Sequence, residues 1–330
     1  MSRVSDRLNR LSYSQTFVMS NKARDMKAAG IDVISLTLGE PDFDVPDNIK
    51  KAAFDAINEN YSHYSPVPGF LELRKAIVNK LKRDNNLEYK PTQICVANGA
   101  KQNIFNVLAA LVNEGDEVIL PAPYWVSYDE MVKINGGVSV FIETNIDTEF
   151  KMTAEQLEAA ITPKTKAVLY SSPCNPSGSY YTREELEKIA NVMAKYPDVV
   201  IISDEIYEFI NYDGEHVSIA EFPQVFNQTA VINGMSKAFA MTGWRIGYSA
   251  CPQWLADACD KLQGQVTSGA NTVAQRASIV GLETDPKDYY YMVESFEKRR
   301  NLVYELLKEV PGFKVNLPKA AFYFFPDISY

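Results

Sequence analysis

The sequence predicts an α/β protein: a large domain with a mostly parallel sheet sandwiched by helices, and a smaller α+β domain built from both termini. Short Val/Ile-rich runs alternate with helical patterns over most of the 330 residues, as in successive βαβ units. One helical stretch near the end is far longer than the rest, and the apolar runs after it differ in style from those before it.

Taken in order, strands are expected over 93–97, 117–120, 138–143, 167–171, 199–203 and 230–233. Between them, TREELEKIANVMAK at 182–195 opens with Thr182 and places Glu185 three residues on, the spacing of a capping box. DYYYMVESFEKRRNLVYELLKEV at 288–310 keeps apolar residues at helical spacing for about six turns and reads as a spine between domains. Two strand-like runs follow, 313–317 and AAFYFFPDI at 320–328. The expected division is therefore 1–40 as N-terminal arm and part of a small domain, 41–287 as the large domain, and 288–330 as interdomain helix and start of the C-terminal small domain. A strand as apolar as AFYFFPDI has little to cover it before the chain stops at Tyr330, so further small-domain residues are expected beyond that end.

Length allows about two domains, and 46% hydrophobic residues support a sizeable core. A net charge of −9 argues against nucleic-acid and anionic-membrane partners, so any bound anion needs a local basic pocket. Cys95, Cys174, Cys251 and Cys259 lack metal-type pairing and read as buried free thiols. The N-terminus has no apolar signal core and no apolar run reaches about 18 residues, which points to the cytoplasm.

The chemistry is carried by turns that follow strands. NGMSKAFAMTGWRIG puts Ser236 and Lys237 at a strand's carboxyl end, the edge where open α/β sheets bind ligands, with Arg245 beyond. A partly desolvated lysine beside a cation loses its proton readily enough to attack an aldehyde; alone, it reads as an ordinary surface lysine. VVIISDEIYEFI ends a buried strand in Asp204, Glu205 and Tyr207. An aspartate there can hold a pyridine nitrogen protonated, making the ring an electron sink, and Tyr207 can reach the ring's phenolic oxygen. By itself SDEIY reads equally as a helix cap and solvated turn. ICVANGAKQNIFNVLAAL supplies a helix N-terminus behind Asn98, Gly99 and Ala100 for a phosphate, although an ordinary strand-to-helix turn reads the same. Trp125 in PAPYWVSY can stack on a ring or simply pack, and Asn175 in SSPCNPSG can bond a ligand or mark a plain Asn-Pro turn.

Together these segments resemble the fold-type I, pyridoxal-phosphate-dependent aminotransferases of class I/II, most closely the prokaryotic-subgroup aspartate aminotransferases. The motifs SLTLGEPDFDVP, HYSPVPGFLELR, NGAKQN, PAPYWVSY, SSPCNPSG, ISDEIY, NGMSKAFAMTGWRIGY and KAAFYFFPD occur in order over essentially the whole chain. The resemblance implies a seven-stranded-type sheet and pyridoxal 5'-phosphate held by Lys237, which also moves the substrate proton. It pairs Asp204 with the pyridine nitrogen, Tyr207 and Asn175 with the phenolic oxygen, and Trp125 with the ring face. Gly99, Ala100, Lys101, Ser236 and Arg245 fall to the phosphate. Tyr64 is similar to a tyrosine that reaches the neighbouring subunit's phosphate, implying a homodimer with shared sites. Gly39, Lys101, Trp125 and Asn175 fall to the substrate, Lys101 to its distal carboxylate. No metal is implied.

The activity so implied is ping-pong transamination between L-aspartate, or a similar dicarboxylic amino acid, and 2-oxoglutarate. A prephenate or aromatic aminotransferase and a carbon–sulfur lyase share the framework. Outside catalysis, a cofactor-sensing regulator would need a basic DNA-binding segment, which this acidic chain does not offer. The family's arginine for the substrate α-carboxylate falls in the stretch expected beyond Tyr330. The alternative this opens is a cofactor-binding fragment impaired in turnover.

Overall fold

A computed structural model describes residues 3–214 and 216–329. Seven strands form one sheet: β1 (Ile94–Ala97), β2 (Glu117–Ala122), β3 (Val138–Glu143), β4 (Thr165–Ser171), β5 (Val200–Asp204), β6 (Thr229–Gly234) and β7 (Gly247–Ala250). Their order is β1-β7-β6-β5-β4-β2-β3. Only β7 runs against its neighbours, pairing antiparallel with β1 and β6. All six expected strands are present, with ends shifted by one or two residues, and β7 is additional.

Burial on both faces explains why the central strands are continuous apolar runs rather than alternating ones. In β4, Ala167 and Leu169 pack on one side with Ile104, Val107 and Leu108 of the helix Ala100–Leu111. The intervening Val168 and Tyr170 pack on the other with Leu186, Ile189 and Met193 of the helix Arg183–Met193. That helix begins as its sequence dictates: Thr182 accepts from the Glu185 N–H while the Glu185 carboxylate accepts from the Thr182 N–H at 2.8 Å. A third cluster covers the β1-β7-β6 end with Leu73, Ile77 and Leu81 of the helix Leu71–Asn85.

The long helix runs Tyr290–Lys308 behind a short 3-10 turn, Pro286–Tyr289, so the helical run expected from 288 begins later than its pattern suggests. Met292, Phe296 and Arg300 form its buried stripe at four-residue spacing. Phe296 packs edge-on against Phe43 and meets Phe322, which ties the helix to both terminal regions.

The two strand-like runs after the helix do not form strands. They meet in a single antiparallel bridge, Lys314 with Asp327, and Ala320 bridges Asn211. Pro318 and Pro326 lack the N–H that a ladder needs. Ala321 adopts a left-handed φ of 58°, which breaks the extended path. Phe322 and Tyr323 thereby pack edge-on against Tyr207 instead of joining a sheet.

At the other end, Arg10 pairs with Glu114 at 2.8 Å and the Ser12 N–H donates to Glu130. Ile34 and Leu36 are about nine-tenths exposed. The cysteines are free, three of them buried and Cys174 half-buried. Among the described residues no helix is long and apolar enough to cross a membrane.

Candidate active site

Because β1, β2, β4, β5 and β6 point the same way, the turns leaving them meet at one edge of the sheet. Asp204 is the last residue of β5, in register with Ser171 and Ile232 on the flanking strands, and only 4% exposed. The Tyr128 phenol donates to its Oδ2 at 2.6 Å and the Ile206 N–H to its Oδ1 at 3.2 Å. Burial dominates over these donors and pushes the carboxyl up to about 6.

Lys237 leaves β6 through the short helix Met235–Ala238. The approach is tight: a methyl on Gly234 would come 2.7 Å from the Gly247 Cα of β7, so only glycine fits. The Lys237 amine donates to the Gly39 carbonyl at 2.5 Å and lies 5.7 Å and 5.8 Å from the ring centres of Tyr207 and Phe322. Burial, reinforced by the Arg245 charge and only partly offset by Glu40 and Asp204, lowers the amine to about 8. Ser236 beside it is buried.

On the β1 side, the helix Ala100–Leu111 starts behind Gly99, which carries no side-chain oxygen for the first N–H groups. Those donors and the helix dipole are available to an anion. Gly99 has a φ of 89°, and an added methyl would come 2.4 Å from Arg245 Nη2. Arg245 thus lies flat against the turn, donating to the carbonyls of Thr242 and Asn98. Lys101 lies 4.7 Å from the Trp125 ring centre, its amine lowered by burial and by Arg245.

The remaining expected residues fall around the same space. Trp125 meets Tyr128 edge-on at 5.5 Å. Tyr207 is buried, and burial holds its phenol well above the ordinary range. Asn175 donates to the Tyr323 hydroxyl at 3.3 Å, and the hydroxyls of Tyr207 and Tyr323 are hydrogen-bonded to each other. Gly39 packs face to face with Tyr323, whose hydroxyl a methyl there would meet at 2.1 Å. Tyr64 is 95% exposed and points into solvent.

Tyr128 and Tyr323 also reach into this space, bonded to Asp204 and Tyr207, and sequence reasoning does not find them. Tyr128 is legible only as one apolar position on a short helix, and Tyr323 only as part of an aromatic run. Glu205, facing away from Asp204, belongs to a buried network. Ser203 and Ser218 donate to its Oε1, His216 bonds its Oε2 at 2.9 Å, and Glu208 is paired nearby with Lys80. The ligand atoms of Glu205, Glu208 and His216 lie within 4.8 Å of one another, but these protein partners already satisfy them.

Comparison with known proteins identifies the family. The family described as aminotransferase class I and II matches residues 31–330. A probable aspartate/prephenate aminotransferase of Rhizobium leguminosarum bv. phaseoli is 48% identical, over 99% of this chain and 82% of that protein. An aspartate aminotransferase of Bacillus sp. YM-2 is also 48% identical, over 99% of this chain and 83% of its own length. Among solved structures, the aspartate aminotransferase of Rhizobium meliloti superposes with a TM-score of 0.96 at 41% identity, covering all of this chain and 83% of that one. The Thermus thermophilus aspartate aminotransferase with maleate gives 0.95 at 39% identity, covering 99% and 85%.

Proposed function

The chain belongs to the class I and II aminotransferases, and from that premise we propose that it transfers the amino group of L-aspartate, or a similar dicarboxylic amino acid, to 2-oxoglutarate using pyridoxal 5'-phosphate. The observation that carries the reading is the meeting of Lys237, an amine whose proton affinity burial lowers, with a buried acid, Asp204, at the sheet edge that also holds an uncapped helix N-terminus.

The residues fit the cofactor group by group. The N–H groups behind Gly99, with Ala100, Lys101, Ser236 and Arg245, suit its phosphate, since Gly99 leaves no Cβ between the turn and the guanidinium. Asp204 suits the pyridine nitrogen, Tyr207 and Asn175 the ring oxygen, Trp125 the ring face, and Lys237 the aldehyde carbon. When bound, pyridoxal phosphate supplies an electron sink for the charge left by breaking a bond at the substrate α-carbon.

The protein's own work is positioning and proton transfer. Asp204, as the carboxylate, keeps a proton on the ring nitrogen, because opposite charges attract strongly where little water screens them. Lys237 Nζ, with its proton affinity already lowered, takes the α-proton as a free amine and gives a proton back before the oxo acid is released. Lys101 offers a cation to the distal carboxylate of a dicarboxylic substrate, and the Gly39 carbonyl steadies the amine. Release of the first oxo acid before the second binds makes the exchange ping-pong.

The maleate-bound relative favours dicarboxylic substrates. The prephenate named for the Rhizobium leguminosarum relative supports a second acceptor. A panel of donors tests this, with aspartate and alanine against 2-oxoglutarate and glutamate and alanine against prephenate: the dicarboxylic donors should exceed alanine in kcat/KM by about 100-fold, and equal rates would refute the dicarboxylate assignment.

The exposed Ile34, Leu36, Phe54 and Tyr64 support a homodimer in which Tyr64 completes the partner's phosphate site. The division at 41 and 288 is kept for the large and small domains, since the long helix links Phe43 with Phe322. Free thiols throughout support a cytoplasmic location.

A further inference from the structure

We propose that Tyr323 is a positioning residue of the catalytic centre: its hydroxyl, set between the Tyr207 hydroxyl and the Asn175 amide, aims both at the cofactor's ring oxygen and strengthens the Tyr207 donation. The proposal rests on the reading of Tyr207 and Asn175 given above.

Three polar atoms converge here. Asn175 Nδ2 donates to Tyr323 Oη at 3.3 Å, and Tyr323 Oη is hydrogen-bonded to Tyr207 Oη. The two phenol rings stand nearly perpendicular, 80° apart with centres 5.5 Å apart. Gly39 closes the remaining side, where any methyl would collide with the Tyr323 hydroxyl at 2.1 Å. The same Gly39 carbonyl accepts from Lys237, so one backbone segment fixes both Tyr323 and the reactive amine.

Donor bookkeeping sets the direction of each bond. A phenol has one proton and can accept two bonds, and an amide nitrogen has two protons. When Tyr207 gives its proton to the ring oxygen, its own oxygen is left to accept, and among the described residues Tyr323 is the hydroxyl bonded to it. Tyr323 accepts one Asn175 proton, which leaves the second for the ring oxygen. Burial holds both phenols well above their ordinary range, so they stay neutral donors. A chain of donors polarises along its length, so Tyr207 donates more strongly with Tyr323 behind it.

Donation to the ring oxygen drains negative charge from it and lowers the proton affinity of the adjacent nitrogen that joins cofactor and Lys237. The test is a pH titration of the visible band of the lysine-bound cofactor in the intact protein. Tyr323→Phe, which removes one oxygen, should raise the midpoint by about half a unit, a threefold change in proton affinity. The shift should largely vanish in a Tyr207→Phe background. Placing 3-fluorotyrosine at 323, a stronger donor of the same shape, should lower the midpoint and covers the case in which Tyr323→Phe fails to fold. A midpoint unmoved by either change overturns the proposal, as does an undiminished shift without Tyr207. Absence of any visible band in the parent protein overturns the cofactor reading and this proposal with it.

Discussion

The Tyr128 phenol donates a 2.6 Å hydrogen bond to Asp204 Oδ2 where both groups are buried. This bond pulls Asp204 down while burial pushes it up, and the balance falls at about 6. Losing the donor in Tyr128→Phe leaves burial unopposed on that oxygen, so Asp204 is less ionised near neutrality and holds a protonated ring nitrogen less well. Cofactor affinity should fall about 10- to 100-fold, in keeping with the ~1.5–3 kcal/mol of a hydrogen bond to a charged group. Titrating cofactor-free protein by fluorescence measures it, and unchanged affinity would contradict the role given to Asp204.

Lys237 reacts with an aldehyde only as the free amine. Its value of about 8 lies below the ordinary lysine range, so the free fraction grows about tenfold per pH unit up to about 8 and then levels. The rate of cofactor capture, followed by stopped-flow absorbance, should climb and plateau likewise. Linkage has the same sign: between about 8 and the ordinary lysine value the unfolded chain binds the extra proton, so stability rises with pH across that window. A capture rate still climbing through pH 10 would show an unperturbed amine.

Gly99→Ala places a methyl 2.4 Å from Arg245 Nη2 at a φ of 89°. The guanidinium must move off the turn, and the strained backbone costs about 1 kcal/mol before that. Affinity for pyridoxal phosphate should drop by more than about tenfold, while affinity for unphosphorylated pyridoxal should be little changed, because the loss falls on the phosphate. Equal losses for both ligands would move the phosphate elsewhere.

Burial is the largest influence on His216 and draws it down, but the charge and hydrogen bond of Glu205 together with the Glu208 charge outweigh it, so its net shift is upward. A raised histidine contributes stability that is full below its unfolded value and is lost as pH rises through the folded one. His216→Gln should therefore lower the unfolding temperature most at pH 6, by breaking a buried pair worth about 3–5 kcal/mol, with the deficit shrinking at alkaline pH. A deficit independent of pH would show that the imidazole packs as a neutral group.

The sheet and the catalytic turns are legible because their signals are local. Strands buried on both faces must be apolar throughout; Asp204 ends one, and Lys237 and Asn175 lie within four residues of the ends of two others. β7 is not legible: Gly247, Tyr248, Ser249 and Ala250 include no β-branched residue, and the strand exists because glycines at 234 and 247 let two backbones approach. Tyr128 and Tyr323 are hidden for another reason. Their partners lie 76 and 116 residues away, and nothing in an apolar context marks a tyrosine whose hydroxyl is used. The run AAFYFFPDI reads as a strand by composition, but the turn at Ala321 depends on Ile210 and Asn211 waiting to accept it.

The central claim is that Lys237 holds pyridoxal phosphate. Borohydride reduction of the cofactor-loaded protein, followed by peptide mapping, tests it most directly. The account predicts one modified residue, Lys237, and no fixed cofactor in Lys237→Ala. Label on Lys101 in the parent protein, or a visible-range cofactor that borohydride still fixes in Lys237→Ala, would contradict it.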